Sequence, residues 1–109
     1  MTFPEAVNKF ASSLPGTDAY VKLRQAMQEL IKTDSAHAAV YFLVFGFART
    51  YVMLYEDQEV SPSFAEENQQ VLLSYLTLLD HALLQNDSSY IYKTMNQVVN
   101  QYENSKKFF

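Results

Sequence analysis

The stretch from Ala36 to Tyr55, AHAAVYFLVFGFARTYVMLY, constrains the fold more than any other part of the chain, because it has no continuous polar face. Its length without a proline or a turn pair favours a helix over a strand. A helix that is apolar all round lies in the core of a larger assembly or in a membrane. The uncharged run between His37 and Arg49 is too short for a span, and Arg49 would lie at hydrocarbon depth. We therefore expect a buried central helix and no membrane span.

Two groups of side chains stand out on this helix when each residue advances by about 100°. One lane of mostly small residues, the small-residue lane, predicts the close approach of another helix, from the same chain or from a second copy. It consists of Ala39, Gly46, Thr50 and Met53. A second strip carries aromatic rings with polar tips, and it contains His37, Tyr41, Tyr51 and Tyr55. Four outer helices are few to cover a helix without a polar face, so we expect a homodimer.

The rest of the chain alternates apolar stripes at helical spacing with capping and turn signals. These signals are the capping box Thr2–Glu5, the break Leu14-Pro15-Gly16, a cap at Thr17 or Asp18, the start Ser61-Pro62 and the turn Asn86-Asp87-Ser88. The connections are short, which favours antiparallel neighbours. The sequence therefore predicts an all-α fold: one domain, residues 1–109, folded as a compact antiparallel bundle of about five helices with a buried central third helix. We expect the end of the chain, Ser105 to Phe109, to be frayed.

Several classes of function lack the residues that they need. There is no cysteine, which excludes disulfides and thiolate chemistry. A carboxylate-bridged metal bundle needs Glu-x-x-His on two helices, whereas Leu78 stands three residues before His81. With two glycines, no phosphate-binding loop can form, and no Ser-His-Asp arrangement is apparent. We therefore expect no enzyme activity, no metal and no cofactor. No signal peptide is visible, so the expected location is the cytoplasm.

The formal net charge of −4 is unevenly distributed. The segment from Thr50 to Tyr92 contains seven acidic residues and no Lys or Arg, so nucleic-acid binding through phosphate contacts is not expected. Five of the acids flank one predicted loop and are called the acidic surface: Glu56, Asp57, Glu59, Glu66 and Glu67. A surface of this kind steers a positively charged partner toward itself. The other interpretation is that the acidic surface only keeps the protein soluble.

Two hypotheses of function remain. The first is a non-catalytic protein-interaction module, regulatory, adaptor or immunity/antitoxin-like, whose acidic surface faces a basic protein partner. The second is a small-molecule-binding bundle with a pocket lined by His37, Tyr41, Arg49, Tyr51 and Tyr55. Arg49 also has a structural interpretation, because a hairpin of the central helix and its successor would place it near Glu66 and Glu67 as an ion pair.

Overall fold

Five α-helices and one 3-10 turn make up the secondary structure of the computed structural model, which describes residues 1–109. The helices are α1 (Phe3–Ser12), α2 (Thr17–Thr33), α3 (Ala38–Tyr55), α4 (Pro62–Gln85) and α5 (Ser88–Glu103), and the 3-10 turn Ser35–His37 precedes α3. α3 packs along α2, and α4 packs against α5 and α1. The prediction of an all-α bundle of five helices is confirmed, and so is the helical assignment of the central stretch.

The starts of α1, α4 and α5 follow the capping signals, whereas no side chain caps α2 or α3. At α1, the Oγ1 atom of Thr2 accepts a hydrogen bond from the backbone N–H of Glu5 at 3.3 Å, and a serine caps α4 in the same way. The predicted cap of α2 is wrong, because Thr17 and Asp18 already lie inside the helix. Gly16 precedes them with a φ of 154°, a backbone conformation that favours glycine, and no side chain caps this helix.

One face of α3 forms the centre of the bundle and packs mainly against α2. The rings of Tyr51 and of Tyr20 on α2 stack with their centroids 3.7 Å apart. The side chain of Phe47 packs against α5, with its ring centroid 5.0 Å from that of Tyr102. The buried side chains of α3 are Val40, Tyr41, Val44, Phe47, Ala48, Tyr51 and Val52. These contacts confirm the central position of the third helix.

The opposite face of α3 is not covered by any other helix of the chain. We call it the open face, and it consists of Ala39, Phe42, Gly46, Arg49, Thr50 and Met53. Phe42 is 65% exposed and Met53 is 67% exposed, which is unusual for large apolar side chains in mid-helix. The face contains the whole small-residue lane. The four outer helices therefore cover α3 on one side only.

The end of the chain is packed, so the prediction of a frayed C-terminal segment is wrong. Phe109 is 3% exposed, and its ring centroid lies 5.5 Å from that of Phe47 and 6.1 Å from that of Tyr75. Phe108 contacts the ring of Phe64 at 4.9 Å. Two aromatic side chains bring enough apolar area to hold a short segment against the bundle.

A buried amide fixes α1 on α4. Gln69 is 4% exposed, and its Nε2 atom donates hydrogen bonds to the carbonyl oxygens of Phe10 at 2.8 Å and of Ser13 at 3.0 Å. Phe10 lies in the last turn of α1, where its carbonyl also accepts the backbone N–H of Ser13 at 3.3 Å, and Ser13 caps the end of the helix. The Gln69 side chain therefore supplies the hydrogen bonds that the end of α1 needs when it packs on α4.

Candidate functional site

The open face of α3 is an apolar stripe with one charged group. Its residues recur every three or four positions, the spacing that brings side chains to one side of a helix. Arg49 is the only charged residue on it. Thr50 presents little free polar surface, because its hydroxyl donates a hydrogen bond to the carbonyl oxygen of Gly46 at 2.8 Å. The face therefore resembles the inside of an interface more than the outside of a soluble helix.

Gly46 has no packing role within the chain. A Cβ atom placed on it would have no heavy atom within 4 Å apart from its chain neighbours and the backbone of its own helix. Glycine in a helix interior costs about 0.5–1 kcal/mol relative to alanine, so a helical glycine without a close neighbour is a loss that the monomer does not recover. The small-residue lane thus receives no helix of the same chain. The approach of a helix from the same chain at Gly46 is therefore wrong, and the approach of a second copy stays a prediction.

Arg49 does not form the predicted ion pair. It is exposed and has no salt bridge, and neither Glu66 nor Glu67 approaches it. The prediction assumed that α3 and α4 form a close hairpin, whereas α3 packs along α2 and contacts α4 at few positions. The pairing with α2 turns Arg49 away from the bundle, where water solvates its charge.

The predicted pocket is divided by the structure. His37 and Tyr41 line one cavity of about 380 Å³ at the junction of α1, α2 and α4. Tyr51 is fully buried under Tyr20, and Tyr55 packs against the ring of an α4 phenylalanine. Arg49 lies on the open face. Only two of the five predicted residues therefore share a site, because the other rings fill the core and leave no space beside them.

An aspartate that the predicted pocket did not include organises this cavity. The Oδ2 atom of Asp34 accepts a hydrogen bond from the Tyr41 hydroxyl at 2.6 Å and lies 2.9 Å from Nδ1 of His37. The Tyr41 bond, followed by the His37 bond, holds the pKa of Asp34 below its usual value. The contact with Asp34 occupies Nδ1 of His37 and leaves Nε2 without a hydrogen-bond partner. The spacing of Asp34, His37 and Tyr41, three and then four residues apart, is the signal that could have found this cluster.

Asp80 is the second acid that lines the cavity, and no local pattern could have indicated it. Its Oδ1 atom is buried without a hydrogen-bond partner. Burial raises the pKa of Asp80 above its usual value, and the nearby His81 opposes that shift. The ionised carboxylate therefore destabilises the folded state.

We expect the substitution Asp80→Asn to raise the free energy of unfolding at pH 7. A carboxyl whose pKa is raised in the folded state loses stability as the pH rises above its unfolded pKa of about 3.9, and asparagine removes that loss. The gain should disappear near pH 3, where both states are protonated. Urea unfolding at the two pH values measures it, with the exposed Asp57→Asn as control. An equal gain at both pH values would contradict this explanation.

The acidic surface lies at the end of α3 and the beginning of α4, and all five of its side chains are exposed. Glu67 is the only one with a cationic neighbour, since its Oε1 atom lies 3.8 Å from Nζ of Lys106. Because the other four carboxylates form no salt bridge, their charge is directed to the solvent.

Three further findings bear on the class of protein. The segment Ser35–Tyr55 is long and apolar enough to cross a membrane by length and composition, a test that the core helix of a soluble protein also passes. No group of three or more His, Asp or Glu side chains is placed to hold a metal ion. Comparison with protein-family models, with curated proteins and with solved structures finds no match to this chain.

Proposed function

We propose that the protein is a non-catalytic helical protein-interaction module of a regulatory, adaptor or immunity/antitoxin-like kind. The observation that carries this proposal is the open face of α3. Contiguous exposed apolar surface on a soluble domain typically marks the site of an interaction. Here the bundle leaves Phe42 and Met53 about two-thirds exposed on either side of a glycine at which an added Cβ atom would meet open space.

The negative charge beside the open face suits a partner that is basic. Glu56 and Asp57 follow α3 directly, so the apolar stripe ends in the acidic surface. Carboxylates without cationic neighbours raise a negative potential that attracts basic proteins and speeds their association. We therefore assign the acidic surface to a basic polypeptide.

Reversal of Glu56, Asp57 and Glu59 to lysine tests this assignment. These side chains are exposed, so folding should be nearly unchanged. Association with the partner captured by the wild-type protein should become at least tenfold slower, and the wild-type rate should fall steeply as salt is raised. Stopped-flow or surface-plasmon measurements of the association rate provide the readout.

The control is a triple reversal of Asp18, Glu29 and Glu103, which changes the net charge equally at exposed positions outside the acidic surface. It should slow association much less. If neither salt nor the reversal of the acidic surface affects the rate, the acidic surface does not contact the partner. If the wild type captures no polypeptide at all, the interaction function itself is contradicted.

The cavity at Asp34 supports a second candidate, small-molecule binding. The observation that favours it is that the side chains of His37 and Asp80 line one cavity together with apolar residues, and that Oδ1 of Asp80 has no hydrogen-bond partner. Acceptors in an apolar setting suit a ligand that donates hydrogen bonds, such as an organic amine. Native mass spectrometry should then detect a small ligand on the wild type and none on a His37→Leu variant. A ligand-free wild-type spectrum speaks against this candidate.

A further inference from the structure

We infer that the open face of α3 binds the open face of a second copy of this chain, with the two α3 helices antiparallel and the two Gly46 residues facing each other. This inference rests on the proposed function, because it names the partner of the open face. Three observations support it: the order of large and small residues along the face, the exposed apolar area and the position of the charges.

The order of residues suits an antiparallel pair. Phe42 and Thr50 lie four residues before and after Gly46, and Ala39 and Met53 lie seven residues before and after it. In an antiparallel pair centred on Gly46, Phe42 is level with Thr50 of the second copy, and Met53 with its Ala39. Each large side chain thus meets a small one. In a parallel pair Phe42 would meet Phe42 and Met53 would meet Met53, which would hold the helices apart at the glycine.

The exposed area fits the core of a dimer interface. Phe42, Met53 and Leu54 are 65%, 67% and 45% exposed, so together they would bury on the order of 300 Å² per copy, since large side chains present about 150–250 Å² each. Tyr92 of α5 is 69% exposed and lines a shallow cavity together with Ala39, which extends the apolar surface beyond α3. A stable interface buries about 800 Å² per partner. Phe42 and Met53 of the open face, with the neighbouring Leu54, supply the apolar centre, which is less than half of that area. A stable dimer must therefore also bury the rest of the open face, Tyr92 and surface outside α3.

The charges also favour the antiparallel arrangement. Glu56 and Asp57 at the end of one α3 would lie beside the beginning of the other α3, where the partial positive charge of the helix dipole attracts them and the carboxylate of Asp34 opposes that attraction. A parallel pair would bring the two acidic surfaces together, and they would repel. An anionic membrane surface suits the open face less well than a second copy does, because the only cation on the face is Arg49 and the face ends in carboxylates.

Single cysteines test the pairing and its direction, because the chain has no cysteine of its own. A Gly46→Cys variant should form a covalent dimer with a short bifunctional thiol reagent. Ala39→Cys alone and Met53→Cys alone should not, since the like positions would lie about 20 Å apart at a rise of 1.5 Å per residue. A mixture of the Ala39→Cys and Met53→Cys proteins should cross-link. Ser74→Cys, exposed on α4, is the control that should stay monomeric.

The mixture of the Ala39→Cys and Met53→Cys proteins still tests the pairing if the Gly46→Cys substitution itself disturbs the contact. Self-linking of Ala39→Cys and of Met53→Cys would overturn the antiparallel pairing. If nothing links and the wild type sediments as a monomer, while a Phe42→Glu variant loses capture of another polypeptide, the inference fails and the proposed function stands. If the wild type instead binds phosphatidylglycerol vesicles through Phe42, the open face contacts lipid, and both the inference and the protein partner of this face are wrong.

Discussion

The substitution Phe47→Ala should lower the free energy of unfolding by about 3–5 kcal/mol, the usual cost of removing a buried phenylalanine ring. Phe47 is 6% exposed, and its ring contacts those of Tyr75, Tyr102 and Phe109 at centroid distances of 5.7, 5.0 and 5.5 Å. The cavity left by the alanine would have walls on α3, α4, α5 and the C-terminal segment. Urea unfolding followed by circular dichroism measures the loss.

Phe42 provides a matched control on the same helix. It lies five residues earlier and faces solvent, so Phe42→Ala should change the stability of the monomer by no more than about 0.5 kcal/mol. Both variants should be compared at concentrations low enough to keep the protein monomeric, because self-association would add to the stability of the wild type. Equal losses from the two substitutions would show that α3 is covered on both sides and that it has no open face.

The second large effect is expected at the other end of the same aromatic cluster. Phe109→Ala should lower the free energy of unfolding by about 3 kcal/mol, the lower end of the range for a buried phenylalanine, because a terminal segment can partly close the space. The substitution removes a ring that is 3% exposed between Phe47 and Tyr75.

The exposed Lys106→Ala is the control for Phe109→Ala. Its only ion pair is a surface contact of 3.8 Å with Glu67, so it should cost well under 1 kcal/mol. If Phe109→Ala unfolds at the same urea concentration as the wild type, the C-terminal segment does not pack in solution and the frayed tail of the sequence prediction is correct.

The fold could be predicted because its signals are local. The caps at Thr2 and Ser61 and the turn at Asn86 each depend on residues within a few positions, and apolar stripes at helical spacing reveal the helices between them. The central position of α3 followed from its lack of a polar face. These features need no knowledge of how the helices are arranged.

The choice of which α3 face is covered could not be predicted in the same way. A helix that is apolar all round gives no indication of the side that packs, so the pairing of α3 with α2, and the solvent position of Arg49, depended on the whole bundle. The residues of the cavity show the same difference between local signals and contacts that depend on the whole fold. Asp34 lies at helical spacing from His37 and Tyr41 and could have been identified, whereas Asp80 reaches the cavity from a distant part of the chain.

The claim that the open face of α3 is an interface between two copies is tested most directly by the mass of the protein in solution. Sedimentation equilibrium over a wide concentration series should give the wild type twice the chain mass of 12.6 kDa. Phe42→Glu, which places a carboxylate in the apolar centre of the pair, should give the single-chain mass with an unchanged circular dichroism spectrum. A wild type that stays at the single-chain mass up to the highest concentration, or a Phe42→Glu variant that still dimerises, would contradict this account.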